Sequence, residues 1–184
     1  NNNVVLVCGQ GYADAVSGSV LAKVLDAPIL LTTSGTLNSD TKTALEKLQA
    51  KNIYVVGGPA SVSQSVRNEL KNSGYNLTEL GGKNRYETST VVANELIKNH
   101  GVTADNILVV GGQGFSDALS AAPIAAAKGE ILLLADNDTG DVKSAADFIQ
   151  ENKSNVTVVG TENVIKNATY TALGASNRID GGAN

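Results

Sequence analysis

Short runs of valine, leucine and isoleucine alternate along the chain with longer amphipathic or alanine-rich segments. This alternation is typical of buried parallel strands joined by helices, and it predicts an α/β fold. In the first half of the chain it predicts strands at 4–8, 29–32, 53–57 and 76–80 and helices at 13–25, 39–50 and 63–73. Asn38 and Ser39 are candidate N-caps of the second helix, and Gly74 is a candidate C′ residue of the third.

The alternating pattern occurs twice along the chain. The stretch VLVCGQGYADAVSGSVLA from Val5 matches LVVGGQGFSDALSAAPIA from Leu108, and the later strands repeat in the same order. The second copy predicts strands at 107–111, 131–134, 156–160 and 177–180, with an additional helix at 85–99 that ends near Gly101. We therefore predict two tandem Rossmann-like or Toprim-like modules with mainly parallel sheets flanked by helices. Their boundaries are 1–81 and 82–180, and 181–184 begins a third module.

The composition argues against several classes of function. The formal net charge is −4 and aromatic residues make up only 4% of the chain, whereas a nucleic-acid binder needs a basic surface and often stacking side chains. Cys8 and His100 are single residues of their types, so an intramolecular disulfide, a CxxC zinc site and a multi-histidine metal site are excluded. No apolar run approaches the roughly 20 residues of a membrane helix. We expect no nucleic acid, metal, cofactor or membrane insertion, and an anionic ligand would require a local cluster of cations.

Each module carries a glycine-rich loop between its first strand and its first helix. Both loops read Gly-x-Gly-x-x-Asp and end in Asp14 and Asp117, whereas a dinucleotide-binding loop ends in a third glycine. A carboxylate at that helix terminus would repel a phosphate, so nucleotide binding is disfavoured. The two aspartates either cap their own helices or contact a ligand hydroxyl or an arginine at the carboxyl edge of the sheet.

The candidate catalytic and calcium motifs are incomplete. The segment GFSDA around Ser116 resembles a nucleophile elbow, but it ends in alanine, and the first module has Ala13 in place of Ser116. The acidic loop 136–141 resembles a calcium loop faintly, because its glycine is one position early and Asp147 stands where a bidentate glutamate belongs. A solvated turn that caps the next helix is the favoured interpretation of this loop. We therefore expect no catalytic residue.

A further signature, GGKNRYETSTVVANEL from Gly81, precedes the second glycine-rich loop. Together with VVGGQGFSDALSAAPIA, ILLL and VTVVG in this order, it resembles the type-2 cell-wall-binding repeat family of bacterial surface proteins over nearly the whole chain. The resemblance implies non-enzymatic modules, usually three in tandem with pseudo-threefold packing, that anchor S-layer and other secreted proteins on an anionic wall polysaccharide. It also implies a location in the wall or S-layer of a Gram-positive bacterium. The alternative is a small α/β hydrolase or a nucleotide-binding enzyme domain.

The same resemblance implies which residues bind the polymer. The NRYETS signature falls on 84–89, and Arg85 is the first candidate because a guanidinium can bind phosphate in bidentate fashion. A salt bridge from Arg85 to a neighbouring Asp or Glu is an equally good explanation. Arg178, at the matching end of the second module, is a weaker candidate. The full set is Arg85, Tyr86, Glu87, Thr88, Asp14, Asp117 and Arg178.

The module boundaries lead to an expectation about exposed surface. The first module begins at its first strand, without the signature helix that precedes the second module. Because a parallel sheet requires cover on both faces, we expect Val5, Val7 or their neighbours to be exposed or covered by another chain. We also expect the loop GTENV at 160–164, which replaces GGPASV at 57–62, to have lost a backbone contact.

Overall fold

The computed structural model describes residues 2–180, which form eight strands and seven helices in strict alternation. The strands are β1 (Asn3–Cys8), β2 (Ile29–Thr32), β3 (Asn52–Val56), β4 (Asn76–Leu80), β5 (Asn106–Gly111), β6 (Ile131–Ala135), β7 (Asn155–Val159) and β8 (Asn177–Ile179). The helices are α1 (Ala13–Leu25), α2 (Ser39–Lys47), α3 (Gln64–Asn72), α4 (Arg85–His100), α5 (Phe115–Lys128), α6 (Thr139–Asn152) and α7 (Asn167–Ala172). The expected start of a third module at 181–184 lies outside the described residues.

The strands form two separate parallel sheets, which confirms the predicted pair of α/β modules. The strand orders are β2-β1-β3-β4 and β6-β5-β7-β8. Each order matches the first four strands of a flavodoxin-like doubly wound sheet, in which ligands bind beyond the carboxyl ends of the strands where the order reverses. In this chain those positions lie between β1 and β3 and between β5 and β7.

Local capping explains where several helices begin and end. The Asn84 side chain accepts a hydrogen bond from the Glu87 N–H at 2.9 Å, and the Glu87 carboxylate accepts one from the Lys83 N–H at 2.8 Å. This reciprocal pair resembles a capping box and fixes the start of α4. Gly74 follows α3 with a φ of 91°, as predicted.

The prediction for α2 was correct at its start and too long at its end. Asn38 is the N-cap, but its side chain makes no capping hydrogen bond. The helix ends at Lys47 rather than at residue 50, because Leu48 is the C-cap and Gln49 adopts a left-handed φ of 52°. No glycine marks this helix end in the sequence, so the pattern could not show it.

The two faces of the first sheet belong to different apolar clusters. Val4 and Leu6 pack with residues of α2 and α3, whereas Val5 and Val7 belong to a larger cluster that continues into the second module. Gly18 of α1 lies directly over Val5 and Val7. The expectation that Val5 or Val7 would be exposed is therefore wrong, because α1 covers them and both are fully buried.

The neighbouring strand β2 does expose apolar side chains. Ile29 and Leu31 pair with Val5 and Val7 and are 36% and 52% exposed. The equivalent residues of the second module, Leu132 and Leu134, are buried on β6, against which α4 packs. The first module has no described helix in the position of α4, so the expected exposure falls on the neighbours of Val5 and Val7 and not on these two residues themselves.

The modules contact each other mainly through helices. Helix α1 of the first module packs against α4 and α5, and it also reaches β6. The contacting region of α5 is rich in buried alanine, including Ala118, Ala121 and Ala122. Small side chains allow the helix backbones to approach closely, so the two modules share one continuous core.

Candidate functional site

A cleft of about 540 Å³ lies at the carboxyl ends of β1, β3 and β4, against the N-terminus of α4. Its volume falls within the range of about 300–1,000 Å³ that is typical of small-molecule sites. The charged side chains among its described lining residues are Asp14, Lys83 and Arg85. The cleft therefore combines two cations with one carboxylate at the ligand-binding edge of the first sheet.

Arg85, the first residue of α4, connects the two modules. Its Nη1 donates to the Gly112 carbonyl, and the Tyr12 hydroxyl donates to the same carbonyl at 2.7 Å. The guanidinium also lies 5.7 Å from the centre of the Tyr12 ring, in cation–π geometry. Arg85 forms no salt bridge within residues 2–180, so the alternative of an Asp or Glu partner is not what this region shows. It is nevertheless exposed, and its Nε and Nη2 have no hydrogen-bond partner there.

Tyr86, the second residue of α4, points into the protein. It is 5% exposed, and its hydroxyl donates to Oδ2 of Asp136 at 2.6 Å. The same Oδ2 accepts a hydrogen bond from the Gly112 N–H at 3.1 Å. A Cβ on Gly112 would lie 2.6 Å from the Tyr86 ring, so a glycine is required there. Burial and the neighbouring Asp136 carboxylate raise the pKa of Tyr86.

The remaining signature residues also contact the backbone. Glu87 belongs to the capping pair already described, and the Thr88 hydroxyl accepts a hydrogen bond from the Gly82 N–H at 3.0 Å. The Ser89 hydroxyl accepts one from the Leu134 N–H of β6 at 3.1 Å. The signature therefore fixes the start of α4 against both modules. Direct contact of Tyr86, Glu87 or Thr88 with a ligand stays a prediction.

Asp14 and Asp117 occupy equivalent positions and do not cap their own helices. The residues at the N-caps of α1 and α5 are Tyr12 and Gly114, and neither makes a side-chain capping bond. The two carboxylates instead face the glycines that follow β3 and β7: a Cβ on Gly57 would lie 2.6 Å from Asp14 Oδ2, and one on Gly160 would lie 3.0 Å from Asp117 Oδ2. The capping interpretation is therefore wrong.

Arg85 influences Asp14 through its charge, but the two side chains form no salt bridge within residues 2–180. Burial raises the pKa of Asp14, while a hydrogen bond from Ser61 and the charge of Arg85 act in the opposite direction. In the second module Val164 replaces Ser61, so Asp117 lacks this hydroxyl. Ligand contact by either aspartate stays a prediction.

Arg178 lies on β8 and makes mainly internal contacts. Its Nη1 donates to the Gly160 carbonyl at 2.8 Å, and its guanidinium stacks 5.0 Å from the centre of the Tyr170 ring. The first module binds the corresponding Gly57 carbonyl through Arg67 of α3, at 2.6 Å. The contact to the glycine carbonyl is thus kept in both modules. A role of Arg178 in ligand binding stays a prediction.

The acidic loop 136–141 is exposed at 137–140, as expected of a solvated turn, and leads directly into α6. Asp136 is only 7% exposed and accepts the two hydrogen bonds from Tyr86 and Gly112. The Asn137 side chain accepts hydrogen bonds from the Lys166 N–H and the Thr169 hydroxyl. Asp138 is the N-cap of α6 but makes no side-chain capping bond. Together with Gln113, Gly114 and Val164, these three residues line a smaller cleft of about 310 Å³.

The described residues do not assemble a catalytic or metal site. Ser116 is exposed in the first turn of α5, and His100 pairs with Glu95 at 3.0 Å at the other end of α4 from Arg85. A 16-residue helix separates these ends by roughly 24 Å. Within 2–180, no three His, Cys, Asp or Glu side chains are placed to hold a metal ion. No helix in this range is long and apolar enough to cross a membrane.

Three important residues were not among the sequence candidates. Tyr12 and Asp136 bind the same glycine, Gly112, and Arg67 holds the loop that follows β3. The partners of Asp136 are 24 and 50 positions away in the chain, so no local motif marks it. The sequence indicated a solvated turn at the acidic loop but not the buried hydrogen bonds of Asp136.

This arrangement defines a class of protein: a tandem α/β binding protein with a cationic cleft where its two modules meet. The chain belongs to the family described as Cell wall binding domain 2 (CWB2), whose model matches residues 1–67 and 79–170. The resemblance inferred from the sequence is therefore confirmed, and the chain is a cell-wall-binding member of this family.

Relatives and solved structures agree with the family. The chain is 35% identical over 182 residues to the N-acetylmuramoyl-L-alanine amidase LytC of Bacillus subtilis (strain 168), covering 98% of this chain and 35% of that protein. The amidase enhancer of the same organism is 39% identical over 137 residues, 74% of this chain and 19% of that protein. The structure of Cwp6 from Clostridium difficile superimposes with a TM-score of 0.87 at 27% identity, covering 98% of this chain and 30% of that one. The chain spans about a third or less of each relative.

Proposed function

We propose that this chain anchors a secreted protein non-covalently to the wall of a Gram-positive bacterium by binding an anionic wall glycopolymer. The observation that carries the proposal is the cleft between the modules, where Lys83 and Arg85 stand at the rim in a chain of net charge −4. Focused cations of this kind attract an anionic polymer in spite of an overall negative charge. We propose the S-layer as the location of the protein that this chain anchors, and the anchor itself has no catalytic role.

The signature residues divide into two roles in this proposal. Arg85 contacts an anionic group of the polymer with the guanidinium nitrogens that the Gly112 carbonyl does not use. Asp14, within the same cleft, accepts hydrogen bonds from polymer hydroxyls. Tyr86, Glu87 and Thr88 hold the N-terminus of α4 in place, so their effect on binding is through the position of Arg85.

We also propose that a neighbouring module packs on α5, as α1 packs on the second module, so that three modules form a pseudo-threefold unit. Val16 and Leu21 of α1 are buried, whereas their repeat equivalents on α5, Leu119 and Ile124, are 52% and 48% exposed. When two modules join through two different faces, one module keeps the first kind of face uncovered and the other module keeps the second kind uncovered. Here these are the exposed face of α5 and the exposed edge of β2.

A binding experiment with purified Gram-positive cell walls tests the polymer proposal. We expect the protein to sediment with intact walls, to stop doing so after the anionic polymers are extracted, and to bind less as salt rises from low to physiological levels. Arg85→Ala should lower the affinity by about tenfold, which corresponds to about 1.4 kcal/mol. Equal binding to extracted walls would contradict the proposal.

The matched control for this experiment is Lys128→Ala. Lys128 is a well-exposed cation on α5, paired only loosely with Glu130 at 4.0 Å, so this variant removes the same charge away from the cleft. We expect its affinity for the wall to stay within about twofold of the parent. Thermal unfolding of both variants separates the explanations, because a loss of binding that follows a loss of stability would assign Arg85 a structural role only.

A further inference from the structure

The loop between β3 and α3 is held at both ends by a single buried side chain. Arg67 is 4% exposed, and its Nη2 donates to the Gly57 carbonyl at 2.6 Å while its Nε donates to the Val62 carbonyl at 2.9 Å. The four residues between these points, 58–61, form one wall of the 540 Å³ cleft. We call these two hydrogen bonds the Arg67 clamp. The clamp fixes the distance between the ends of the cleft wall.

The charge of Arg67 is balanced within the same module. Its Nη1 binds Oε1 of Glu79 at 3.1 Å, and Lys71 binds the other carboxylate oxygen at 3.0 Å. The hydrogen bond from Lys71, aided by Arg67, holds the pKa of Glu79 below its ordinary value against the opposing effect of burial. Glu79, on β4, therefore stays ionised near neutral pH and holds the guanidinium of Arg67 in place.

The second module has different residue types at the two positions that Arg67 and Glu79 occupy in the first. Tyr170 stands four residues after the N-cap of α7, where Arg67 stands in α3, and Arg178 pairs with Val158 as Glu79 pairs with Val55. Arg178 binds the Gly160 carbonyl but makes no hydrogen bond to the Ile165 carbonyl, the equivalent of Val62, within the described chain. The Asn137 side chain holds the far end of the second loop instead, donating to the Val164 carbonyl at 2.8 Å and accepting from the Lys166 N–H at 2.9 Å. Two side chains from different elements therefore hold the second loop, whereas one arginine holds both ends of the first.

The charged residues that line the two clefts also differ. The first cleft carries Lys83 and Arg85 against Asp14, whereas the charged residues among those lining the second cleft are Asp136 and Asp138. The second loop also has Glu162 where the first has Pro59. The charges that line the two clefts therefore favour an anionic polymer in the first and disfavour it in the second.

We propose that the first cleft is the polymer-binding site of this chain and that Arg67 is its positioning residue, because the clamp shapes the wall 58–61 before the polymer arrives. The inference rests on the proposed function. A wall that is already in its bound shape loses less conformational entropy on binding. The second cleft, with its acidic lining, does not bind the polymer.

The test transplants the Tyr170–Arg178 pair of the second module into the first, without Asn137. In the double variant Arg67→Tyr with Glu79→Arg, the new arginine can bind the Gly57 carbonyl and stack on the new tyrosine, but it does not reach the Val62 carbonyl. We expect the melting temperature to fall by no more than about 5 °C, the affinity for purified walls to fall about tenfold, and the amides of 58–62 to exchange hydrogen faster. Unchanged wall affinity in a folded double variant would overturn the inference.

Two further variants keep the test decisive. The exchange Lys42→Glu with Glu69→Lys swaps an exposed ion pair of the same module that does not touch the loop, and it should bind walls as the parent does. If the transplanted chain does not fold, Arg67→Lys replaces it, since one ammonium cannot serve both carbonyls in the guanidinium geometry, and parent-like affinity of that variant would overturn the inference.

The parent chain and Arg85→Ala separate this inference from the proposed function. A parent chain that does not bind walls contradicts the proposed function, and with it the inference. If the parent binds, and Arg85→Ala weakens binding while the transplanted variant binds normally, only the role of Arg67 is contradicted.

Discussion

Asp136 shows how one buried carboxylate joins two parts of the chain that are far apart in sequence. It accepts hydrogen bonds from the Tyr86 hydroxyl of α4 and from the Gly112 N–H after β5. Burial raises its pKa, and the charge of Asp141 acts in the same direction, while the two hydrogen bonds and Arg85 oppose the shift. Because burial dominates, the folded chain holds the Asp136 proton more tightly than the unfolded chain does.

The raised pKa of Asp136 has a measurable consequence for stability. Protonation of Asp136 stabilises the fold fully below its unfolded pKa of about 3.9, and this stabilisation is lost as pH rises through the folded pKa. Asp136→Asn should keep both hydrogen bonds through its amide oxygen while removing the titration. In urea unfolding, we expect the free energy of unfolding of the variant, relative to that of the parent chain, to be higher at pH 7 than at pH 4. A larger relative loss at pH 7 would show that the charge stabilises the fold.

At the scale of residues, the sequence predicted the signature but not its contacts. The motif that contains Arg85 and Tyr86 resembles that of a known family, and the structure places both residues at the junction of the modules. Their partners, Gly112 and Asp136, lie 27 and 50 positions away, and such pairs are set by packing rather than by local pattern. The same is true of the Arg67 clamp. Its second acceptor, the Val62 carbonyl, is a backbone group, so no residue type in the sequence marks it.

At the scale of elements, the repeat provides an internal comparison of the same strand in two settings. Leu31 on β2 is 52% exposed, whereas its equivalent Leu134 on β6 is fully buried where α4 packs. The local sequence is similar in both places, ILLT and ILLLA. The difference in burial therefore comes from the helix and not from the strand.

This comparison leads to a pair of matched substitutions. Leu134→Ala should lower the free energy of unfolding by about 2–5 kcal/mol, because it removes a buried side chain and leaves a cavity. Leu31→Ala should lower it by less than about 1 kcal/mol, since about half of that side chain already contacts solvent. Chemical denaturation of both variants measures the difference. Similar losses in the two would indicate that another part of the molecule covers β2 in solution.

Helices and strands were predictable because, in each segment, the spacing of apolar residues and the residue composition indicate the same type of element. The strands are short aliphatic runs and the helices follow capping residues such as Ser63, which accepts a hydrogen bond from the Val66 N–H. The end of α2 was less predictable, because Gln49 adopts a left-handed conformation that residues with a Cβ adopt rarely. The end of α1 was predicted correctly although Asp26 adopts the same conformation.

At the scale of the whole molecule, the two modules join through unlike faces. Helix α1 packs against the second module and buries Val16 and Leu21, while the equivalent residues of α5, Leu119 and Ile124, are exposed. The sequence revealed the duplication and hence the fold of each half. It could not reveal this mode of packing, because the residues at the interface are ordinary small and aliphatic side chains.

The exposed α5 face predicts how the isolated chain behaves in solution. We expect sedimentation velocity to show association that increases with protein concentration, as α5 of one chain meets the uncovered β2 edge of another. The double substitution Leu119→Glu with Ile124→Glu should leave the chain monomeric without changing its melting temperature by more than about 4 °C. A parent chain that stays monomeric at high concentration would argue against these faces as contact surfaces for modules.

The exchanged arginine and tyrosine also constrain how the two copies diverged from a common ancestor. An intermediate with tyrosine at 67 and glutamate at 79 would leave the Gly57 carbonyl without a guanidinium, and one with arginine at both would place two cations beside each other without the carboxylate that now binds Arg67. Either single step thus passes through a less stable protein than both end states. We therefore expect each single substitution to lower the free energy of unfolding, and the two made together to restore part of the loss.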